Sequence, residues 1–141
     1  MWHGTTIKAG RREDLGVTVR SGWEANVARW LNYQGIEWEY EPTRFHFPIK
    51  RGTKSYAPDF WLPNYMGGKW LEVKGYLPQQ DKTRMKRFKL HCPDEFTKLV
   101  VITGSAVTEA SVFFEELGVP SMAYYRDLNK EFKLTLPHWD E

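Results

Sequence analysis

Asp59, Glu72 and Lys74 are the residues whose types and spacing best suit chemistry, and the chemistry they suit is hydrolysis of a phosphodiester. That reaction needs a water in line with the phosphorus and neutralisation of charge on the non-bridging and leaving oxygens, which a divalent cation held by carboxylates supplies. Mg²⁺ prefers hard oxygen ligands and keeps several waters, so two or three acidic groups converging on one open edge suffice. Glu72 and Lys74 stand at i and i+2, so on a strand both side chains point to one face while Val73 anchors the other. Lys74 would lie beside the attacking water as either a base or an electrostatic clamp, since cations or burial would lower its pKa and carboxylates would raise it.

Spacing alone is a weak signal, because Glu131-Phe132-Lys133 repeats E-x-K without a Pro-Asp before it. Context separates the two copies. Pro58-Asp59 runs into Phe60-Trp61-Leu62, and Trp70-Leu71 leads into Glu72-Val73-Lys74-Gly75, so both halves of the first copy fall on expected core strands. The bland alternative is a solvated ion pair between Glu72 and Lys74, with Asp59 capping a turn. Asp59 and Glu72 converge only if their strands are neighbours.

The elements that would position these groups are legible in the pattern. Ser21-Gly22-Trp23-Glu24 matches a capping box, and Trp23, Val27, Trp30 and Leu31 follow at helical spacing until Gly35, which predicts a helix over residues 22–34. Glu24 is what a capping box wants at that position, but it also borders Val27 and Leu31 on the inward face, from which it could reach a metal through water. Strand alternation follows at Trp38 and Tyr40, at Phe45, Phe47 and Ile49, and from Tyr56 to Leu62, with Gly52 in the turn between the last two runs. Glu39 opposes the Trp38 and Tyr40 face and adds a further carboxylate, as plausible on an exposed strand as at a metal.

Residues 79–91 read as a helix whose core contacts are Met85 and Phe88, with Lys82, Arg84, Lys86, Arg87 and Lys89 around the remaining faces. Charge runs are usually solvated surface; beside a phosphodiesterase site these cations are expected to touch phosphates, which positions DNA without reading its sequence. Leu99-Val100-Val101-Ile102 has the continuous apolar character of a strand buried on both faces, and residues 108–117 fit a helix closed by Gly118. The stretches 122–125 and 132–136 are open to strand, helical or irregular readings. Residues 1–20 are polar and glycine-dotted, with Lys8, Arg11, Arg12 and Arg20, and are expected to form a mobile basic arm contributing Arg11 and Arg12 to DNA binding.

Composition bounds the rest. One domain of 141 residues can bury a true core, and residues 21–141 are expected to form it. A net charge of +2 does not by itself announce a nucleic-acid binder. The single Cys92 excludes an internal disulfide, and no Cys/His spacing resembles a zinc site. Neither a membrane-length apolar run nor a secretory leader is visible, so a soluble, cytoplasmic chain in a reducing setting is expected.

Four segments together, Ser21-Gly22-Trp23-Glu24, Gly35-Ile36-Glu37-Trp38-Glu39-Tyr40-Glu41, Tyr56-Ala57-Pro58-Asp59-Phe60 and Glu72-Val73-Lys74-Gly75, resemble the phage endonuclease I family, Holliday-junction resolvases of the PD-(D/E)xK superfamily. The likeness is strongest over residues 21–75. It implies an α/β, restriction-endonuclease-like core with a mixed central sheet flanked by helices, and a site of Glu24, Glu39, Asp59, Glu72 and Lys74. The implied metal is Mg²⁺, with Mn²⁺ substituting, as one or two ions held by Asp59, Glu72, the Val73 backbone carbonyl and, through water, Glu24. The resemblance further implies four-way or other branched DNA as partner, a bacterial host cytoplasm as setting, and a homodimer bridged by residues 42–55, whose two sites suit a two-fold substrate. The chain departs from the family at the Met66-Gly67-Gly68-Lys69 loop and at its C-terminal Pro137-His138-Trp139-Asp140-Glu141. Two rivals remain: another nuclease of the superfamily, acting on transposon ends, restriction sites or lesions, and a silent DNA-binding module that kept the fold.

Overall fold

A computed structural model describes residues 9–141. Five strands form a mixed sheet in the order β3 (Glu39–Tyr40), β6 (Phe60–Leu62), β7 (Lys69–Lys74), β8 (Leu99–Thr103), β9 (Ser121–Tyr124). The first three run antiparallel to their neighbours, and β7, β8 and β9 are parallel. Helices α1 (Gly22–Tyr33), α2 (Gln79–His91), α3 (Pro93–Phe96), α4 (Glu109–Leu117) and α5 (Tyr125–Phe132) cover it. This is the α/β sandwich expected from the sequence.

Two apolar cores lie on opposite faces of the sheet. Leu71, Val73 and Ile102 pack against Trp23, Val27 and Leu31 of α1 and against Tyr125 and Phe132 of α5. Trp70, Leu99 and Val101 pack against Met85 and Phe88 of α2, Phe96 of α3 and Phe114 of α4. Alternation along β7 and β8 divides the side chains between the cores, which is why the run from Leu99 to Ile102 has to be apolar throughout. Both parallel crossovers, through α2 and through α4, advance one strand in the same direction, so right-handed connections place both helices on one face.

Local chemistry sets the boundaries. Ser21 caps α1 by accepting the Glu24 N–H at 3.1 Å. Thr108 caps α4, and Gly118 ends it at φ 87 in the left-handed conformation. The Tyr56-to-Leu62 run is not one strand, because Ala57-Pro58-Asp59 interrupts it between β5 (Ser55–Tyr56) and β6. β5 pairs instead with β4 (Phe45–His46) in a separate ribbon over residues 44–56. The stretch from Ser121 resolves into β9 followed directly by α5, while residues 133–136 form no strand.

The expected mobile arm needs correction where the structure describes it. β1 (Gly10–Arg12) and β2 (Val17–Val19) form a hairpin, Val19 is buried, and Asp14 accepts two hydrogen bonds from Arg29 of α1 at 2.8 and 3.1 Å. An alternating apolar pattern only two residues deep was too short to recognise as a strand. Lys8 and the residues before it lie outside the described residues. Among the described residues, no helix is long and apolar enough to cross a membrane.

Candidate active site

β6 and β7 pair with Phe60 opposite Leu71, so Asp59, one residue earlier, falls beside Glu72. Their neighbourhood requirement is met. Both carboxylates are buried, at 6% and 3% exposure, at the base of a cleft of about 200 Å³. Arg20, Glu24, Arg44, Tyr56, Val73, Lys74, Asp81 and Arg84 also line it. Asp59 Oδ2 accepts the Val73 N–H at 2.7 Å, and Glu72 Oε1 accepts the Tyr56 hydroxyl at 2.6 Å. Lys74 Nζ stands 3.4 Å from Glu72 Oε2 and 3.1 Å from Asp81 Oδ2. Asp81, in the first turn of α2, is also ion-paired to Arg84, so the lysine is tethered from both layers.

Glu24 enters the cleft from α1. Its Oε1 accepts the Tyr40 hydroxyl at 2.6 Å, and that hydroxyl accepts the Arg20 backbone N–H at 3.2 Å. The capping-box reading explains the backbone bond to Ser21, while the carboxylate itself turns toward the strand layer. Trp23, the preceding residue, lays its ring against Gly75 and Gly104: a Cβ at either position would stand 3.2 or 3.3 Å from the indole.

Electrostatics in the cleft are strained in one direction. Burial, then the charges of Glu72 and Glu24, push Asp59 well above the usual carboxylate range. Burial likewise raises Glu72 and Glu24, against the opposing pull of Lys74 on the first and of Tyr40 on the second. For Lys74 burial works against the charge, but Glu72, Asp81 and Asp59 outweigh it and the ammonium is held charged. Crowded, desolvated carboxylates are the hard oxygen donors that a divalent cation stabilises, so Asp59 and Glu72 fit the expected ion. Among the described residues, no three Asp, Glu, His or Cys side chains are already gathered around one coordination point. Glu24 is drawn to Tyr40 instead.

Glu39 is not among the cleft residues. It is exposed, paired across from Trp61. The register brings a different glutamate nearer: Glu41 donates its N–H to the Asp59 carbonyl at 2.8 Å and therefore sits across from Asp59. Glu41 holds φ 45, places Oε1 3.1 Å from Arg20, and buries Oε2 without a hydrogen-bond partner among the described residues. Glu39 and Glu41 share a face by alternation, so sequence alone could not choose between them.

The expected DNA-binding cations divide. Arg84 donates to the Ser55 carbonyl, Arg87 to the Thr53 carbonyl at 2.7 Å, and Lys89 to the Leu117 carbonyl, while Lys82 pairs with Glu109 at 2.7 Å. Lys86 stands 6.0 Å over the Phe113 ring. Four of the five cations thus hold partners within the chain, while Lys86 and Lys89 stay exposed. Arg12 is buried and donates to the Glu141 and Gly10 carbonyls, and Arg11 pairs with Glu13. Tyr40, Tyr56, Asp81, Arg20 and Arg44 line or brace the cleft without any mark in the sequence as site residues; their signal lies in tertiary pairing, which no spacing rule reveals.

The profile of the family described as Phage endonuclease I matches residues 6–108. The chain belongs to the phage endonuclease I family. The matched span contains every carboxylate and cation of the cleft. Endodeoxyribonuclease 1 of Enterobacteria phage T3 is 33% identical over 85 residues, covering 60% of this chain and 54% of the relative. Endonuclease I of Escherichia phage T7 is 37% identical over 65 residues, covering 46% of this chain and 42% of that protein. The matches therefore reach about half the length of these relatives. No solved structure matches.

Proposed function

We propose that the chain is a metal-dependent DNA endonuclease that hydrolyses phosphodiester bonds, acts on branched DNA such as four-way junctions, and works as a homodimer. One observation carries the reading: two buried carboxylates from paired strands, Asp59 and Glu72, with the Lys74 ammonium 3.4 Å from one of them, in a cleft rimmed by arginines. The T3 relative is named an endodeoxyribonuclease and the T7 relative an endonuclease, which supports DNA as the substrate class.

Asp59, Glu72 and the Val73 carbonyl are the groups that would hold Mg²⁺ or Mn²⁺, one or two ions to a site, with Glu24 acting through water. When bound, the cation supplies Lewis-acid neutralisation of the phosphate and an acidified water. The remaining work falls to side chains. Lys74, held charged by Glu72 and Asp81, is placed to clamp developing negative charge. Arg20 and Arg44 at the rim draw the phosphate in. Glu24 and Glu39 belong to the proposed set on the family resemblance, Glu24 with the support of its place in the cleft.

Two sites related by a two-fold axis suit the symmetric cutting of a junction. Residues 42–55, expected to bridge such a dimer, fold back within the single chain as the β4–β5 ribbon. Incubation with a four-way junction, a linear duplex and a single strand, each with Mg²⁺ and with EDTA, tests the proposal. Metal-dependent cutting that prefers the junction is expected; cutting of none of the three would sink it.

A further inference from the structure

Residues 42–58 contain Arg44, Lys50, Arg51 and Lys54 and no Asp or Glu. The chain as a whole has 20 cations and 18 acids, so everything outside this segment carries 16 cations against 18 acids. The segment thus carries a formal +4 in a chain whose total is +2.

That ribbon is two-faced. Its inner side is aromatic: Phe45 packs on Trp70 and Phe88, Phe47 on His91, and Tyr56 on Phe88. Arg84 and Arg87 of α2 fasten its Ser55 and Thr53 carbonyls from below. All four ribbon cations are exposed, and Lys50, Arg51 and Lys54 have no acidic partner among the described residues. A solvated surface of ordinary composition would intersperse both signs. At the base, Arg44 lines the cleft and donates to Ser55 Oγ at 2.9 Å, so the ribbon starts at the site. Lys50 lies six steps along the chain from Arg44, which puts the tip within about 20 Å of the cleft. At about 3.4 Å of rise for each pair, that spans roughly six base pairs of duplex.

We propose that the β4–β5 ribbon is a DNA-docking element: Lys50, Arg51 and Lys54 grip the phosphate backbone of the duplex arm beside the scissile bond, with Arg44 continuing the track into the cleft. The inference rests on the endonuclease reading for its choice of partner. It assigns phosphate contact to the ribbon, where the sequence pointed to α2.

Fluorescence anisotropy with a labelled four-way junction and a labelled duplex, in EDTA from 50 to 300 mM NaCl, reads binding apart from cleavage. Each phosphate contact contributes about 0.9 to the slope of log affinity against log salt. The variant Lys50→Ala/Arg51→Ala/Lys54→Ala is expected to lose roughly 2–3 from that slope and about 10–100-fold in affinity at 100 mM salt. The swap Lys50→Arg/Arg51→Lys/Lys54→Arg should restore both, and Lys130→Ala/Lys133→Ala, on and just past α5, should change neither. A melting curve like that of the unsubstituted chain confirms that the ribbon is intact; if the triple variant melts early, Arg51→Glu alone is read in its place. An unchanged slope, or an equal loss in the α5 variant, overturns the proposal. Failure of the two readings is distinguishable: a chain that binds through the ribbon but cuts nothing loses only the hydrolase reading, and one that cuts but binds equally well without the ribbon cations loses only this one.

Discussion

At the residue scale, Asp59 is the group on which stability and activity pull apart. A buried carboxyl whose folded-state pKa is raised above its unfolded value contributes most when protonated, and that contribution is lost as pH rises through the folded pKa. As pH rises, ionising the crowded carboxylates therefore costs stability in the absence of a cation. Asp59→Asn keeps an oxygen to accept the Val73 N–H and removes one charge. It is expected to abolish cleavage, to leave DNA binding in EDTA within a few fold, and to raise Tm at pH 7 by about 3–6 °C, the equivalent of 1–2 kcal/mol. Melts from pH 5 to 8 check the sign: the gap between variant and unsubstituted chain should widen as pH rises in EDTA and narrow when Mg²⁺ is added. A variant that melts lower at every pH would show that the charge is already compensated. Lys74→Ala removes the clamp, and a fall in kcat of about 10²–10³-fold is expected, with KM little changed. Single-turnover rates measure it directly, and Lys74→Arg should recover part of the loss because the charge is kept and the fit to Glu72 and Asp81 is not.

At the scale of elements, α2 joins the site to the ribbon. Its buried Phe88 meets Phe45 and Tyr56 of the ribbon and Phe96 of α3, so Phe88→Ala opens a cavity where three elements meet. A loss of about 3–5 kcal/mol is expected in denaturant melts, and hydrogen exchange should show the ribbon amides released before those of β7 and β8. Uniform release across the sheet would contradict that order. Much of this architecture was readable. The 3.6-residue period of Trp23, Val27 and Leu31, the terminal Gly118 and the apolar run at Leu99 to Ile102 each report a local rule obeyed by the fold. The readings that changed did so for long-range reasons. The 10–19 hairpin is fixed by Asp14 meeting Arg29, the role of α2's cations by carbonyls on distant segments, and the choice of Glu41 opposite Asp59 by a strand register that alternation cannot supply. Asp59 and Glu72 were legible because motif and strand pairing agree; Tyr40 and Tyr56, which brace them, carry no local mark.

At the scale of the whole molecule, the ribbon folds back so that Arg44 and Tyr56 reach the cleft beside Asp59 and Glu72 of the same chain, and the proposed homodimer would pair two such clefts. Sedimentation at micromolar concentration is expected to give a dimer, and supercoiled cruciform DNA should be linearised without a long-lived nicked form. A monomer that accumulates nicked circles would contradict the paired-site proposal. The indole of Trp23 also links the two layers. It precedes Glu24 on the helix and lies close against Gly75, the residue after Lys74 on the sheet, so the ring acts as a spacer between α1 and the end of β7 that carries the lysine. A methyl group added at Gly75 would work as a shim, lifting α1 by a few tenths of an ångström and detuning two ends of the cleft at once. Thinning the spacer with Trp23→Phe should then bring the Gly75→Ala enzyme partway back, a rescue between positions fifty-two residues apart in the chain.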